Sequence, residues 1–193
     1  MKRRLIIGVT GASGSMMALR LIEYLSTRDD IETHGIISDS AKLTFTQETK
    51  QSFSKLKGLL DVVHDAKNIG ATIASGSYEH SGMMIVPCSI KTLSGVANCY
   101  STDLMTRAAD VCLKEGRPLL LGVRETPFHL GHINLMKQAV EMGAIIFPPI
   151  PAFYSNLDSI EKMVDVTLGR MLSRLGIEND LYESWQGLGI NEE

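Results

Sequence analysis

Short apolar runs alternate along the chain with longer stretches in which apolar residues recur every three or four positions. A run of four or five apolar residues has the length of a buried strand, and the three-to-four repeat is typical of an amphipathic helix. Unbroken apolar strands are covered on both faces, which favours a parallel sheet between two layers of helices. The predicted strands are residues 5–9, 34–37, 83–87, 119–123 and 144–147.

The predicted helices fill the gaps between these strands, and the last one has the clearest repeat. It ends before Gly176, a residue suited to the left-handed conformation past a helix end. Ser40 is predicted to cap a helix that runs to about Glu48, and Asp103 one that runs to about Lys114. The apolar stripe of the last helix consists of Ile160, Met163, Val164, Leu168, Met171, Leu172 and Leu175.

Alternating strands and helices predict an α/β fold: a single doubly wound parallel-sheet domain, Rossmann-like (flavodoxin-like), over residues 1–193. Residues 53–65 look partly helical. Residues 66–82 hold no long apolar run, and we expect a mobile connection with at most one short helix. Residues 177–193 are expected to form a C-terminal tail. Ligands of such sheets bind beyond the carboxyl ends of the strands, so the residues there are the candidates for chemistry.

Composition narrows the class of protein. Of the 193 residues, 44% are hydrophobic and 21% are charged, as in globular domains. The formal net charge of −3 argues against a nucleic-acid-binding surface. The apolar runs are too short for a signal peptide or a membrane span. The three cysteines lack CxxC spacing, which favours a reduced, cytoplasmic setting.

The first strand ends in a turn of small residues, Thr10-Gly11-Ala12-Ser13-Gly14, that opens a helix. The turn is neither GxGxxG nor a P-loop, because Thr10 takes a glycine position and no GK[ST] follows. Free N–H groups at the positive helix end still favour an anion. A tight turn that needs glycine only for its backbone angles is the alternative.

The third predicted strand is followed by Cys88-Ser89-Ile90-Lys91-Thr92, again before a helix. The helix start would lower the pKa of the Cys88 thiol, although no neighbouring base supports a nucleophile there. Ser89, Lys91 and Thr92 are better suited to hydrogen-bond a ligand. The alternative for Ser89 is a simple helix cap.

Charged residues mark two further positions. Arg124 and Glu125 directly follow a buried strand, which suits a phosphate-binding guanidinium and a partly buried acid or base, or else a local ion pair. Asp103, Arg107, Asp110 and Lys114 share one helix face and predict a solvated ladder of ion pairs. His129 and His132 have helical metal-ligand spacing but no third ligand nearby, so we expect no metal.

These segments, taken together and in order, resemble the flavin prenyltransferases, formerly called aromatic-acid decarboxylase small subunits. The likeness runs from about residue 4 to residue 186. The ordered set is more specific than any of its members. The matching stretches are Gly8-Val9-Thr10-Gly11-Ala12-Ser13-Gly14, Ala74-Ser75-Gly76-Ser77, Pro87-Cys88-Ser89-Ile90-Lys91-Thr92-Leu93, Thr106-Arg107-Ala108-Ala109-Asp110-Val111, Leu113-Lys114-Glu115, Val123-Arg124-Glu125-Thr126-Pro127 and Pro149-Ile150-Pro151-Ala152-Phe153-Tyr154.

The resemblance implies a transferase that needs FMN and no metal. It implies that a dimethylallyl group passes from dimethylallyl monophosphate to nitrogen 5 of reduced FMN, with ring closure to carbon 6. The prenylated FMN would serve a separate decarboxylase, in ubiquinone biosynthesis or aromatic-acid breakdown. It further implies trimer-based homododecamers with the flavin held between subunits. No nucleic acid or membrane partner is expected.

The resemblance also assigns roles to residues. Ser13, Glu48 and Glu125 would be catalytic, and an aromatic face at Trp185 would cover the allyl group. The flavin would be held by Gly11, Ala12, Ser13, Ser38, Ser89, Ile90, Lys91, Thr92 and Arg124. The prenyl phosphate would be held by Arg107, Lys114, Tyr154, Arg170 and Trp185, with cationic side chains converging on it.

Four positions depart from the usual family pattern: Met16, Met17, Asp39 and Asn156. Asp39 stands where a lysine is common. Two other functions stay open from the residues. One is an FMN-dependent cysteine-type decarboxylase of the same fold, and the other is a non-catalytic flavin-binding subunit of a decarboxylase.

Overall fold

The computed structural model describes residues 2–153 and 158–187. Six parallel strands form one sheet in the order β3-β2-β1-β4-β5-β6, which is the Rossmann order and confirms the predicted doubly wound fold. The strands are β1 Arg3–Val9, β2 Ile31–Ile37, β3 Val62–His64, β4 Met83–Cys88, β5 Leu119–Val123 and β6 Ile145–Ile146.

Helices cover both faces of this sheet and divide the core into two layers. One apolar cluster packs α1 and α7 against one face, and the other packs α4 and α5 against the opposite face. Residues alternate between the faces, so Ile7 belongs to the first cluster and Ile6 to the second. The helices are α1 Ser15–Ser26, α2 Asp39–Thr49, α3 Phe53–Gly58, α4 Ile90–Ala97, α5 Leu104–Lys114, α6 Leu130–Glu141 and α7 Ile160–Arg174.

One detail of the sequence prediction was wrong, and one strand was missed in a segment that is partly helical, as predicted. The cap of α2 is Ser38 instead of Ser40, because Ser38 Oγ accepts from the Ala41 amide. Residues 53–65 contain the short strand β3 after α3. Three half-buried residues at a sheet edge carry too little pattern to be distinguished from a helix end.

Other predictions of local structure were confirmed. Asp103 caps α5 in a reciprocal capping box with Thr106. Gly176 follows α7 with a φ of +66°, in the left-handed region. Within residues 66–82 the structure has one short 3-10 helix, Thr72–Ala74. In the described part of the chain, no helix is long and apolar enough to cross a membrane.

Candidate active site

The carboxyl edge of the sheet brings the ends of β1, β2 and β4 together, and Thr10 joins two of them. Its hydroxyl donates to the Pro87 carbonyl at 2.7 Å and accepts from the Ser89 amide at 2.9 Å. Thr10 is 2% exposed, so its two hydrogen bonds are shielded from water. From the sequence, Thr10 is only a departure from a glycine motif, and its role in joining the two strands was not predicted. A hydroxyl residue directly after a buried strand was the available signal.

The turn after β1 is held close to α2. A Cβ on Gly11 would lie 2.6 Å from the Cβ of Ser40, so only glycine allows this approach. The Thr44 hydroxyl donates to the Gly11 carbonyl at 3.2 Å. Gly14 has a φ of +116°, which other residues rarely adopt. The prediction of a tight glycine-dependent turn is therefore confirmed.

The N-terminus of α1 is occupied by a carboxylate of the chain itself. Glu48 Oε2 accepts from the Gly14 amide at 2.9 Å and from the Ser15 amide at 2.7 Å. Burial opposes the charge, but hydrogen bonds from the Ser13 hydroxyl and these two amides outweigh it and lower the pKa of Glu48. Glu48 is therefore ionised at neutral pH. The expectation that these two N–H groups are free for an outside anion is corrected accordingly.

The remaining flavin candidates of this turn lie beside Glu48. Gly11, Ala12 and Ser13 are half-buried. Ser38, at the end of β2, donates its amide to the Val9 carbonyl at 3.0 Å and thereby joins this strand end to the same edge. Its hydroxyl lies 3.0 Å from that of Ser40. Amides and hydroxyls are thus grouped at the switch point between β1 and β4.

The end of β4 adds the start of α4 to this edge. Ser89 caps α4, and its hydroxyl lies 3.2 Å from that of Thr92. The Ile90 side chain is half-buried, whereas Lys91 is exposed. Ser89 is therefore the helix cap that the sequence offered as its alternative role.

Cys88 does not have the properties expected of a thiol at a helix start. Its residue exposure is 0%, and burial raises the pKa of the thiol to about 12. The expectation of a lowered thiol pKa was wrong. The side chain points into the apolar cluster under α4 and α5, where desolvation outweighs the helix end.

Arg124 and Glu125 lie at the end of β5, next to the same edge. The Arg124 amide donates to the Cys88 carbonyl at 3.1 Å, and its side chain is exposed. Glu125 is half-buried, and its Oε1 accepts from the Thr126 amide at 3.0 Å. The two residues thus extend the polar edge from β1 to β5.

Arg107 and Lys114 lie on α5 and face the segment before β4. Arg107 Nε donates to the Ala74 carbonyl at 3.3 Å, and its Nη1 pairs with Asp110 at 2.7 Å. Lys114 pairs with Glu115. Of the ion pairs predicted along this helix face, only Arg107–Asp110 therefore forms. Lys114 is the last residue of α5 and lies toward the amino edge of the sheet, where β5 begins.

Arg170 is exposed on α7, on the opposite layer of the sheet from α5. The end of α7 lies near the amino edge, because the Leu175 and Gly176 carbonyls accept from Arg3, at the start of β1. Within one chain the cationic side chains therefore do not converge. Trp185 is 57% exposed. Tyr154 and Asn156 lie outside the described residues.

The imidazoles of His129 and His132 have ring centroids 3.6 Å apart and ring planes tilted by 35° to each other. Among the described residues, no group of three or more histidine, cysteine, aspartate and glutamate side chains is arranged to hold a metal ion.

Comparisons with known proteins agree over nearly the whole chain. The model of the Flavoprotein family matches residues 1–172. The flavin prenyltransferase UbiX of Escherichia coli (strain K12) is 50% identical over 187 residues, 96% of this chain and 99% of that protein. The corresponding protein of Thauera aromatica is 49% identical over 98% of this chain and 96% of its own length.

Solved structures also match over nearly the whole chain. The crystal structure of AnUbiX (PadA1) in complex with FMN and dimethylallyl pyrophosphate has a TM-score of 0.94 and 40% identity, over 97% of this chain and 99% of that one. A dodecameric FMN-dependent UbiX-like decarboxylase from Escherichia coli O157:H7 has a TM-score of 0.93 and 39% identity, over 95% and 100%. The peptidyl-cysteine decarboxylase EpiD is 18% identical with a TM-score of 0.61, over 78% of this chain and 83% of that one, and shares the fold alone.

Proposed function

The chain belongs to the flavin prenyltransferase family, and we propose that it transfers a dimethylallyl group from dimethylallyl monophosphate to reduced FMN. The observation that carries this proposal is near-complete coverage at 50% identity by a protein of that activity. The two other functions considered have less support. The cysteine decarboxylase resembles this chain only in fold, and the full-length relatives are named as enzymes.

The donor set at the carboxyl edge fits FMN. Amides and hydroxyls suit the phosphate and the polar edge of a flavin, and the exposed Arg124 guanidinium adds a positive charge. We assign flavin binding to the residues grouped there: Gly11, Ala12, Ser13, Ser38, Ser89, Ile90, Lys91, Thr92 and Arg124. Reduced FMN supplies the nucleophilic nitrogen 5.

Glu48 differs from an ordinary surface acid in its fixed position and its retained charge. Its carboxylate is held by two backbone amides and the Ser13 hydroxyl, so it is placed to accept a proton, with Ser13 beside it. We assign proton transfer to Glu48 and Glu125 and orientation of Glu48 to Ser13. Because Glu48 is ionised at neutral pH, we assign it the role of a base.

The prenyl donor requires stabilisation of its leaving group. The C–O bond of the allylic phosphate breaks, and the phosphate leaves with the electron pair, so guanidinium and ammonium groups lower the barrier without a metal. We assign this role to Arg107, Lys114 and Arg170, with Tyr154 as a further phosphate ligand and Trp185 over the allyl group.

These cations lie on two layers of the chain, which supports a site completed by neighbouring subunits. A relative with 39% identity is dodecameric. Helix α6 also exposes apolar side chains: Leu130 is 71%, Ile133 51% and Val140 53% exposed. Such a face is typical of a protein interface. We propose a trimer-based homo-oligomer, a dodecamer, in which α6 contacts a second copy.

The product would leave for a separate decarboxylase that uses prenylated FMN, in ubiquinone biosynthesis or aromatic-acid breakdown. We propose a cytoplasmic location for the reaction. We also propose that the chain is a single domain over residues 1–193, with a mobile connection at residues 66–82 and a tail at residues 177–193.

Mass spectrometry of the flavin tests this function. Anaerobic incubation of the protein with reduced FMN and dimethylallyl monophosphate should give a flavin heavier by one prenyl group, and a parallel reaction with the diphosphate compares the donors. Arg170→Ala should slow product formation by about 100-fold, since one charge-stabilising group contributes that much or more. A flavin of unchanged mass with both donors would overturn the proposal.

A further inference from the structure

A cleft opens at the carboxyl ends of β2 and β3, next to the flavin candidates. Its volume is about 430 Å³, and Ile37, Asp39 and His64 contribute to its wall. Ile37 and Asp39 flank Ser38, to which flavin binding is assigned above. The cleft therefore lies beside the edge to which flavin binding is assigned, on the outer side of β2.

Three ammonium groups gather in this cleft. Lys42 Nζ lies 5.8 Å and Lys57 Nζ 5.9 Å from the ring centroid of Phe53. Lys42 and Lys67 share the Asp39 carboxylate, at 2.6 Å and 3.8 Å. The ring gives the cleft an aromatic wall between two cationic side chains.

The charge of this lining is opposite to that of the whole chain. Three lysines and two aspartates line the cleft, which leaves one positive charge in excess, whereas the chain carries −3. The second aspartate is Asp65. Burial and the neighbouring His34 lower the pKa of His64, so this imidazole adds no positive charge at neutral pH. The lining therefore favours an anion with an apolar part.

The strand order indicates which class of anion the cleft would bind. In Rossmann sheets, dinucleotides lie across the carboxyl edge, and an acidic residue after the second strand binds ribose hydroxyls. Asp39 follows the last residue of β2 by two positions, and 69% of its side chain is exposed despite the two lysines. The flavin candidates take the switch point between β1 and β4, which leaves the position over β2 and β3 for a second nucleoside.

We propose that this cleft binds an adenylate unit, the adenosine 5′-phosphate that free adenine nucleotides share with the second half of FAD. Asp39 would hold the ribose hydroxyls, and the lysines would hold the phosphate. Phe53 would form the wall of the cleft beside the base. The inference rests on the proposed flavin site for its position, but its ligand and its residues are separate.

Calorimetric titration of the FMN-saturated protein with ADP tests free nucleotide as the source. ADP should bind, and Lys57→Glu should weaken it by about tenfold or more, because a charge-assisted contact becomes a repulsion. The matched control Lys2→Glu reverses an exposed charge just before β1, at the opposite edge of the sheet from the cleft, and should leave ADP affinity unchanged. A second arm measures displacement of FMN by FAD. If FAD places its adenylate in the cleft, Lys57→Glu weakens FAD but not FMN.

Weaker binding of ADP or of FAD to the Lys57→Glu variant supports adenylate binding in the cleft. An effect on ADP identifies free nucleotide as the source of the adenylate, and an effect on FAD identifies FAD. Adenosine and inorganic phosphate are titrated as well, and phosphate binding as tight as ADP binding would overturn the adenylate assignment. So would an absence of any effect of Lys57→Glu in both arms. Prenyl transfer is assayed in the same variant. Loss of nucleotide binding with normal transfer separates this inference from the proposed function.

Discussion

At the scale of single residues, environment decides which candidates are reactive. Glu48 and Cys88 both sit beside helix starts, yet the first is held in its charged form and the second in its neutral form. Glu48 receives hydrogen bonds from amides and a hydroxyl, whereas Cys88 is surrounded by apolar side chains. The sequence places both residues near the site, but only their three-dimensional neighbours set their charges.

Replacing Glu48 by glutamine should destabilise the protein in a pH-dependent way. The folded state lowers the pKa of Glu48 below its ordinary 4.5, so the carboxylate stabilises the fold above that pH. This contribution is lost as the pH falls through the lowered pKa. We expect Glu48→Gln to lose about 1 kcal/mol at pH 7, the typical value of a helix cap, and less in acid.

Urea unfolding of both proteins between pH 7 and pH 3 measures this difference. Glu178→Gln, which alters an exposed carboxylate outside the site, is the control and should change stability little at any pH. A difference for Glu48→Gln that stays constant over the whole pH range would contradict the account.

Alkylation should distinguish the three cysteines. Cys88 and Cys112 are buried, and burial raises the pKa of each thiol to about 12, so iodoacetamide should not modify them in the native protein. Cys99 is exposed and serves as the internal reference. Peptide mass spectrometry before and after unfolding checks this. Cys88→Ala should keep prenyl transfer, whereas a loss of transfer with an intact fold would restore a role for the thiol.

At the scale of elements, a strong sequence pattern was enough to predict a helix or a cap, whereas a weak pattern was not enough to predict a strand. In α7 the predicted stripe is buried at Leu168, Met171 and Leu172, whereas Ile160, in the first turn, is 67% exposed. The cap of α5 was predicted because Asp103 precedes the first turn. Strand β3 escaped detection because its three residues are only half-buried. The position of α5 matters for function, since it carries Arg107 and Lys114.

The cap of α5 can be tested directly. Asp103→Ala removes the acceptor of the Thr106 amide, 2.8 Å away, and should cost about 1 kcal/mol. For a chain of this size that is a fall in melting temperature of roughly 2–4 °C. Asp103→Asn keeps an oxygen acceptor and should lose less. Equal losses in calorimetry would show that the side chain acts through its charge instead of the cap.

At the scale of the whole molecule, the sheet separates groups that the proposed reaction needs together. Arg107 belongs to the layer of α5 and Arg170 to that of α7. A single chain therefore supplies its cations to different surfaces, and neighbouring copies would bring them to one flavin. The mostly exposed helix α6, in which only Ala139 is buried, is our candidate contact.

A charge in the apolar face of α6 should weaken the assembly. Ile133→Glu places a carboxylate where we expect a second copy, and burying it unpaired is costly. Light scattering after size-exclusion chromatography should show smaller species than the wild type. Leu43→Glu is the matched control, because Leu43 is also exposed, at 77%, but lies on α2. An unchanged mass for Ile133→Glu would exclude this face.

The sequence by itself determined the α/β class, most elements, the small-residue turn and the candidate residues, since these depend on local spacing and on ordered motifs. Tertiary structure alone decided the rest. It placed Glu48 on the start of α1, buried Cys88, joined β1 to β4 through Thr10 and gathered three lysines beside β2. Those results depend on contacts between residues far apart in the chain, and the pKa values and clefts follow from them.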